Sequence, residues 1–197
     1  MQANVYACIN LIGEGLVQRA GRPLPRVFVT GPFSRPVDTV VPGVLASASV
    51  VMQPWLLGPL LGIDAAEAVD QIVSLELEQI THHALDALAR HPGDEAARTV
   101  VWQALERFLG STPPAGPRLS LDALRSGGVE SAAAACGCSA RQYRRRFQQA
   151  MGLAPAAWLR ITRWERAVLQ FARLQSHGSL AEVSVASGYA DQAHMTR

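Results

Sequence analysis

The chain has 197 residues, 49% of them apolar, which is long enough and apolar enough to bury one large core or two small ones and excludes a disordered polypeptide. All 18 basic residues are arginine, and the net charge of +2 hides an asymmetry: residues 1–118 carry 8 Arg against 11 acids, residues 119–197 carry 10 Arg against 5. Three cysteines, an odd number, exclude a disulfide scaffold and point to a reducing, cytoplasmic setting, while the longest apolar run, at 50–63, is broken by Gln53, two prolines and two glycines and excludes a membrane span there.

The first sixty residues alternate short β-rich runs with Gly and Pro. Strands are expected at 4–12, 26–30, 37–41 and 44–51. The first begins almost at Met1, with nothing ahead of it to pair, so the N-terminus is expected to be incomplete. From Gln53 the period turns helical, with Trp55, Leu56, Leu60 and Leu61 on one face. Asp64 and Glu67 have the spacing of a capping box for a following helix. Two longer helices are expected at 75–90 and 94–109, the second with Val101, Leu105 and Leu109 in register. Residues 111–117 then hold three prolines and a glycine, which places a linker at 113–118 between an N-terminal domain (1–112) and a C-terminal one (119–197).

The C-terminal part reads as a helix-turn-helix. A small-residue helix over 129–136 meets Gly137, whose freedom at positive φ suits the turn, and Ser139 is a good N-cap for a second helix over 140–151. Tyr143, Phe147 and Met151 recur every four residues and face a core. Arg141, Gln142, Arg144 and Arg145 therefore point outward, with Arg146 on the flank. Apolar knobs on one side and guanidinium forks on the other suit a recognition helix, because a fork bridges guanine O6 and N7 or grips phosphates.

The motif repeats. Ser139 and Asp191 as caps, Tyr143 and Met195 as core positions, and Arg145 and Arg197 as outward cations are each 52 apart. Between the copies, residues 155–174 carry Trp158, Ile161, Trp164, Val168 and Phe171 as one apolar stripe on a helix that Pro155 opens. About 20 residues of helix span ~30 Å, close to the ~34 Å after which the major groove returns to one face of DNA. Such a connector sets the two recognition helices in successive groove segments.

Residues 129–197 resemble the DNA-binding domain of AraC/XylS-type transcription regulators in three stretches: GCSARQYRRRF at 137–147, GLAP at 152–155 and GYADQAHMTR at 188–197. The resemblance implies a seven-helix unit. It carries base contacts onto Arg141, Arg144 and Arg145 of the first recognition helix and onto Gln192, Ala193, Thr196 and Arg197 of the second, where Ala193 has only a methyl to offer a thymine. Members continue past this point with a phenylalanine and a closing helix, so the second motif is expected to be truncated at Arg197. The stretches LPRVFVTGP at 24–32 and QPW at 53–55 are similar to the small β-plus-helix domain that precedes the reader in one group of these regulators, which implies a domain that senses a small-molecule effector or forms a homodimer.

Other constellations have plainer explanations. Cys136 and Cys138 have the look of half a metal site or a redox pair, but no second Cys or His pair stands at zinc-like spacing, so small packed positions are the favoured reading. The adjacent His82 and His83, followed by Asp86, do not share a helix face with each other, which favours a solvated surface over an acid–base or metal site. His194 suits packing or a phosphate. No nucleotide loop, nucleophile elbow or zinc-peptidase pattern is present, so no catalytic residue, metal or cofactor is assigned and the chain is not expected to be an enzyme. The expectation is therefore an α+β protein with a β-rich N-terminal domain and an all-α double helix-turn-helix domain, acting on double-stranded DNA as a sequence-specific regulator. The competing expectation is a truncated interaction module that pairs with full-length copies without productive DNA binding.

Overall fold

The first strand carries Ala7, Ile9 and Leu11 on one face and Cys8 and Ile12 beside Asn10 on the other, so period-two alternation asks for cover on both sides of the sheet that contains it. The computed structural model, which describes residues 4–75, 78–110 and 115–173, supplies that cover. Strands β1 (Ala7–Glu14), β4 (Val27–Thr30), β5 (Ala46–Met52) and β6 (Ile72–Ser74) form an antiparallel sheet in the order β5-β1-β4-β6. Between β1 and β4 a small hairpin pairs β2 (Gln18–Arg19) with β3 (Arg22–Pro23). Its two turn residues, Ala20 and Gly21, both have positive φ, the geometry that matches the twist of paired strands.

Ala7, Ile9 and Leu11 of β1, with Val27, Val29 and Met52, face helices α2 (Glu78–Arg90) and α3 (Glu95–Leu109). Ala84, Leu85 and Leu88 of α2 and Val101, Ala104 and Leu105 of α3 complete this first core. Asp94 caps α3, accepting a bond from the Ala96 amide at 3.2 Å. A 3-10 turn (Pro54–Leu56) runs into the one-turn helix α1 (Leu57–Leu61), which seals the end of the core with buried Leu57.

The strands and helices depart from the sequence expectation where side chains or tertiary contacts override local pattern. β1 starts at Ala7 rather than at residue 4, because the Asn4 side chain accepts from the Tyr6 amide (2.9 Å) and turns residues 4–6 out of the sheet. Residues 37–41 form no strand, only isolated pairing such as Val40 with Gln18. Asp64 does cap, accepting from the Ala66 amide at 2.7 Å, but residues 65–70 form a run of turns instead of a helix.

The second core holds Leu119 and three helices, α4 (Leu121–Ala135), α5 (Ala140–Met151) and α6 (Pro155–Arg173). α4 is broken at Gly128, whose φ of 72° and ψ of −165° are not helical, so the small-residue half after it is a separate rod aimed at the turn. Tyr143, Phe147 and Met151 of α5 meet Leu124, Ala132 and Ala133 of α4 and Trp158 and Ile161 of α6. The Phe147 ring lies 5.8 Å from Tyr143 and 5.8 Å, edge-on, from Trp158, and Arg125 stacks on the outer face of Trp158 at 4.9 Å.

This core does not stop at residue 119. Val5, 0% exposed, is a full member of it, and Tyr6, Trp55 and Val69 pack against it. Gly152, the C-cap of α5, has φ 72° and sits so close to the Ala65 carbonyl that a Cβ would lie 2.2 Å from the oxygen. Glu165 of α6 accepts a backbone hydrogen bond from Val5, and burial, the larger influence, pushes its carboxyl above the usual 4.5 despite that bond.

Both buried links can be tested by substitution. Val5→Ala removes two buried methyl-sized groups and should lower unfolding free energy by about 2 kcal/mol, read as a fall in urea midpoint at constant slope. A raised carboxyl pKa means that Glu165 favours the fold below 4.5 and loses that contribution as pH climbs through its folded value. Glu165→Gln should therefore melt higher than wild type at pH 7, with the difference closing by about pH 4; a difference that grows on acidification refutes the assignment.

Candidate nucleic-acid interface

A helix-turn-helix reader needs a fixed angle between its helices, and the turn here is fixed by backbone bonds. The Cys138 amide donates to the Ala133 carbonyl (3.0 Å) and the Gly137 amide to Ala134 (3.0 Å), a Schellman closure with Gly137 at φ 63°. Ser139 then caps α5 with a complete capping box: its hydroxyl accepts from the Gln142 amide (3.2 Å), and the Gln142 side-chain oxygen accepts from the Ser139 amide (3.1 Å). From the other side Tyr143 donates to the Leu119 carbonyl at 2.6 Å, tying α5 to the start of the C-terminal unit. Burial first, and then the neighbouring Cys136 and Cys138, push the Tyr143 phenol up to about 12, so it remains a donor at any physiological pH.

With Tyr143, Phe147 and Met151 buried, helical geometry sends Arg141 and Arg145 to the opposite side, one turn apart, and both are exposed. Exposed Gln148 continues that row. Arg146 is exposed on one flank and Arg144 on the other. Among the described residues no ion pair engages Arg141, Arg145 or Arg146. They present guanidinium groups held only by their own helix, on a rod whose far side is locked.

Two of the expected contact residues have prior engagements. Gln142 spends its carbonyl oxygen on the cap, leaving only its amide nitrogen to point outward. Arg144 reaches back across the turn to Glu130, 3.1 Å away. Sequence reading passed over Glu130, although it lies seven residues before Gly137 and Arg144 seven after, which brings them together when two helices fold back on that turn. Gln192, Ala193, Thr196, Arg197 and His194 lie outside the described residues, as does the whole second copy of the motif.

The connector α6 has Pro155 at its first position and 19 residues, about 28 Å of rise. Its stripe is not uniformly covered: Trp158 and Ile161 are buried in the second core, whereas Trp164 and Val168 are exposed. Elsewhere, His82 and Asp86 form an exposed 3.9 Å pair on α2. Cys136 donates its thiol to the Arg118 carbonyl at 3.4 Å. Among the described residues no group of three His, Cys, Asp or Glu is placed to hold a metal ion, and no helix is long and apolar enough to cross a membrane.

Residues 132–197 match a protein family described as a helix-turn-helix domain. The match supports an AraC-like DNA-binding domain and, with it, a DNA-binding transcription regulator. No curated protein and no solved structure matches the chain.

The Glu130–Arg144 pair makes a measurable claim. It is exposed and adds little to stability, but it holds one cation back from any approaching polyanion. Glu130→Gln should leave the melting temperature nearly unchanged while tightening binding to random duplex DNA and steepening the plot of log affinity against log salt by up to about one unit; an unchanged salt slope would show that Arg144 is already free.

Proposed function

We propose that this chain is a sequence-specific transcription regulator that reads successive major-groove segments with two recognition helices, the first of them α5. One observation carries the proposal: Arg141 and Arg145 stand exposed in a row on a helix whose opposite row, Tyr143, Phe147 and Met151, is 1% exposed or less. A helix locked on one side and armed on the other enters a groove as a rigid body, so its forks meet base edges without losing much side-chain and backbone freedom at each contact.

Within this reading the residues divide by role. Arg141 and Arg145, with Gln148 beyond them, face the groove floor and read base edges. Arg146, and Arg144 when Glu130 releases it, grip phosphates on the flanks. Gln142 primarily sets where the helix begins, so its loss changes the position of the arginines as well as any contact of its own. The second copy supplies Gln192, Ala193, Thr196 and Arg197 to the neighbouring segment, with α6 setting the distance. The N-terminal sheet domain senses a small molecule or pairs with a second copy, and the protein works in the cytoplasm, where its DNA lies.

Selection from random duplex DNA, followed by binding at several salt concentrations, tests this. A defined site should emerge, and affinity should fall steeply with salt. Arg145→Ala should weaken binding by about 1–3 kcal/mol and relax the preference at one position, whereas Arg146→Ala should weaken all sequences alike. Failure to enrich any sequence at low salt would end the regulator reading.

A further inference from the structure

The face of the sheet turned away from α2 and α3 is crossed by two segments that flank β4, residues 16–24 and 31–45, which together form a strap, while Ser47, Ser49 and Val51 of β5 stay exposed at its margin. Backbone bonds between Gln18 and Val40, at 2.8 and 2.9 Å, clip the two segments together. Between strap and sheet lies a cavity of about 260 Å³. Its floor comes from β1, β4 and β5 through Cys8, Asn10, Phe28, Thr30 and Ser49, and its roof from the strap. None of the sixteen residues lining it is charged. The polar groups it holds are hydroxyl, amide and thiol, and several already bond one another, as Ser49 does to Asn10 at 2.7 Å.

That lining sets the chemistry of an occupant. An ion entering would exchange its hydration for a wall without a countercharge, a large penalty, whereas an apolar body with a neutral hydroxyl gains from burial and finds partners. The volume admits a molecule of about ten non-hydrogen atoms, just below the usual range of ligand pockets.

The same wall is bonded to the reader. The Phe33 amide, on the strap, donates to the Asn4 carbonyl at 2.9 Å, and Asn4 is followed by Val5, buried in the core behind α5. Beside it Asp70 accepts from the Ser34 amide (2.8 Å) and hydroxyl (2.6 Å), and its own amide donates to Pro32 at 2.9 Å. Its neighbour Val69 packs against Gly152 at the end of α5. Two short routes therefore join residues 32–34 of the strap to the two ends of the packing that orients the arginine row.

We propose that this cavity binds a small uncharged molecule, an apolar body bearing a hydroxyl, and that its occupancy shifts residues 32–34 and through Asn4 and Asp70 alters how α5 is seated. The proposal deepens the sensing role of the N-terminal domain and rests on the regulator reading only for its second readout. The test uses the full chain with two probes of matched size, neutral para-propylphenol and anionic para-methylbenzoate. The phenol should raise the melting temperature and the benzoate should not. Ser49→Trp from the floor and Thr39→Trp from the roof fill the space independently, and each folded variant should lose the response. On a site selected from random DNA, the phenol should change affinity about fivefold or more in the unaltered chain and not in the filled variants. Equal response to both probes, a response that survives filling, or none to the phenol overturns the cavity assignment. Binding of the phenol without any change in DNA affinity overturns the coupling. Binding of the phenol by a chain that enriches no DNA overturns the regulator reading and supports the cavity.

Discussion

The structure depends on the burial of Phe147. Its ring sits between Tyr143 and the edge of Trp158, and the pocket is closed by α4, α6 and, from the far end of the chain, Val5. Four arginines on one helix repel one another and gain nothing by being ordered in the free protein. What orders them is the opposite row, where burial of three large side chains supplies several kcal/mol at roughly 25 cal/mol per Å². The polar face is thus positioned by apolar packing on the opposite side of the helix.

Charge is distributed to suit that division. The acids of the second core avoid the outward row: Glu130 pairs with a flanking arginine, Asp122 pairs with Arg125 on α4, and Glu165 is turned inward to the Val5 backbone. The exposed positive potential of α5 is therefore left largely uncompensated, and exposed cations at this spacing are screened only over about a Debye length, ~8–10 Å in physiological salt. Ordered phosphates answer that potential better than mobile counterions do, and the release of those counterions makes binding salt-dependent.

Much of this was legible in the sequence because it is local. The cap at Ser139, the glycine at 137 and the four-residue recurrence of Tyr143, Phe147 and Met151 each act within one or two turns, and the structure places all of them as read. α3 was legible for the same reason, through its apolar spacing. What escaped was non-local. Nothing in residues 4–6 announces that Val5 leaves the sheet for another core, since an apolar residue beside a strand reads as strand. β6 is three residues long and exists because β4 offers a free edge. Asp64 carries the right cap, but the chain must return within a few residues to reach Pro32, and a helix would carry it away. Arg144 read as a free cation because its partner is fourteen residues distant and on another helix.

A proline-rich stretch near residue 113 suggests two bodies joined by a tether, but the two are also in contact beside it. Val69 and Ala65 lie against Gly152 and Val5 sits inside the second core, while Gly116 of the stretch itself lies against Trp55. Close-packed interfaces of this kind do not hinge freely; they have a few discrete arrangements separated by the cost of opening apolar contacts. The coupling proposed between sheet and reader would then take the form of small displacements of elements that stay in contact, carried by residues that belong to both. Residues 4–6 and 65–70 are the segments that meet this condition, each bonded to the strap on one side and packed against the second core on the other. A chain built this way gains rigidity in its reader at the expense of its independence, because α5 cannot be seated correctly unless the sheet that holds β1 is folded as well.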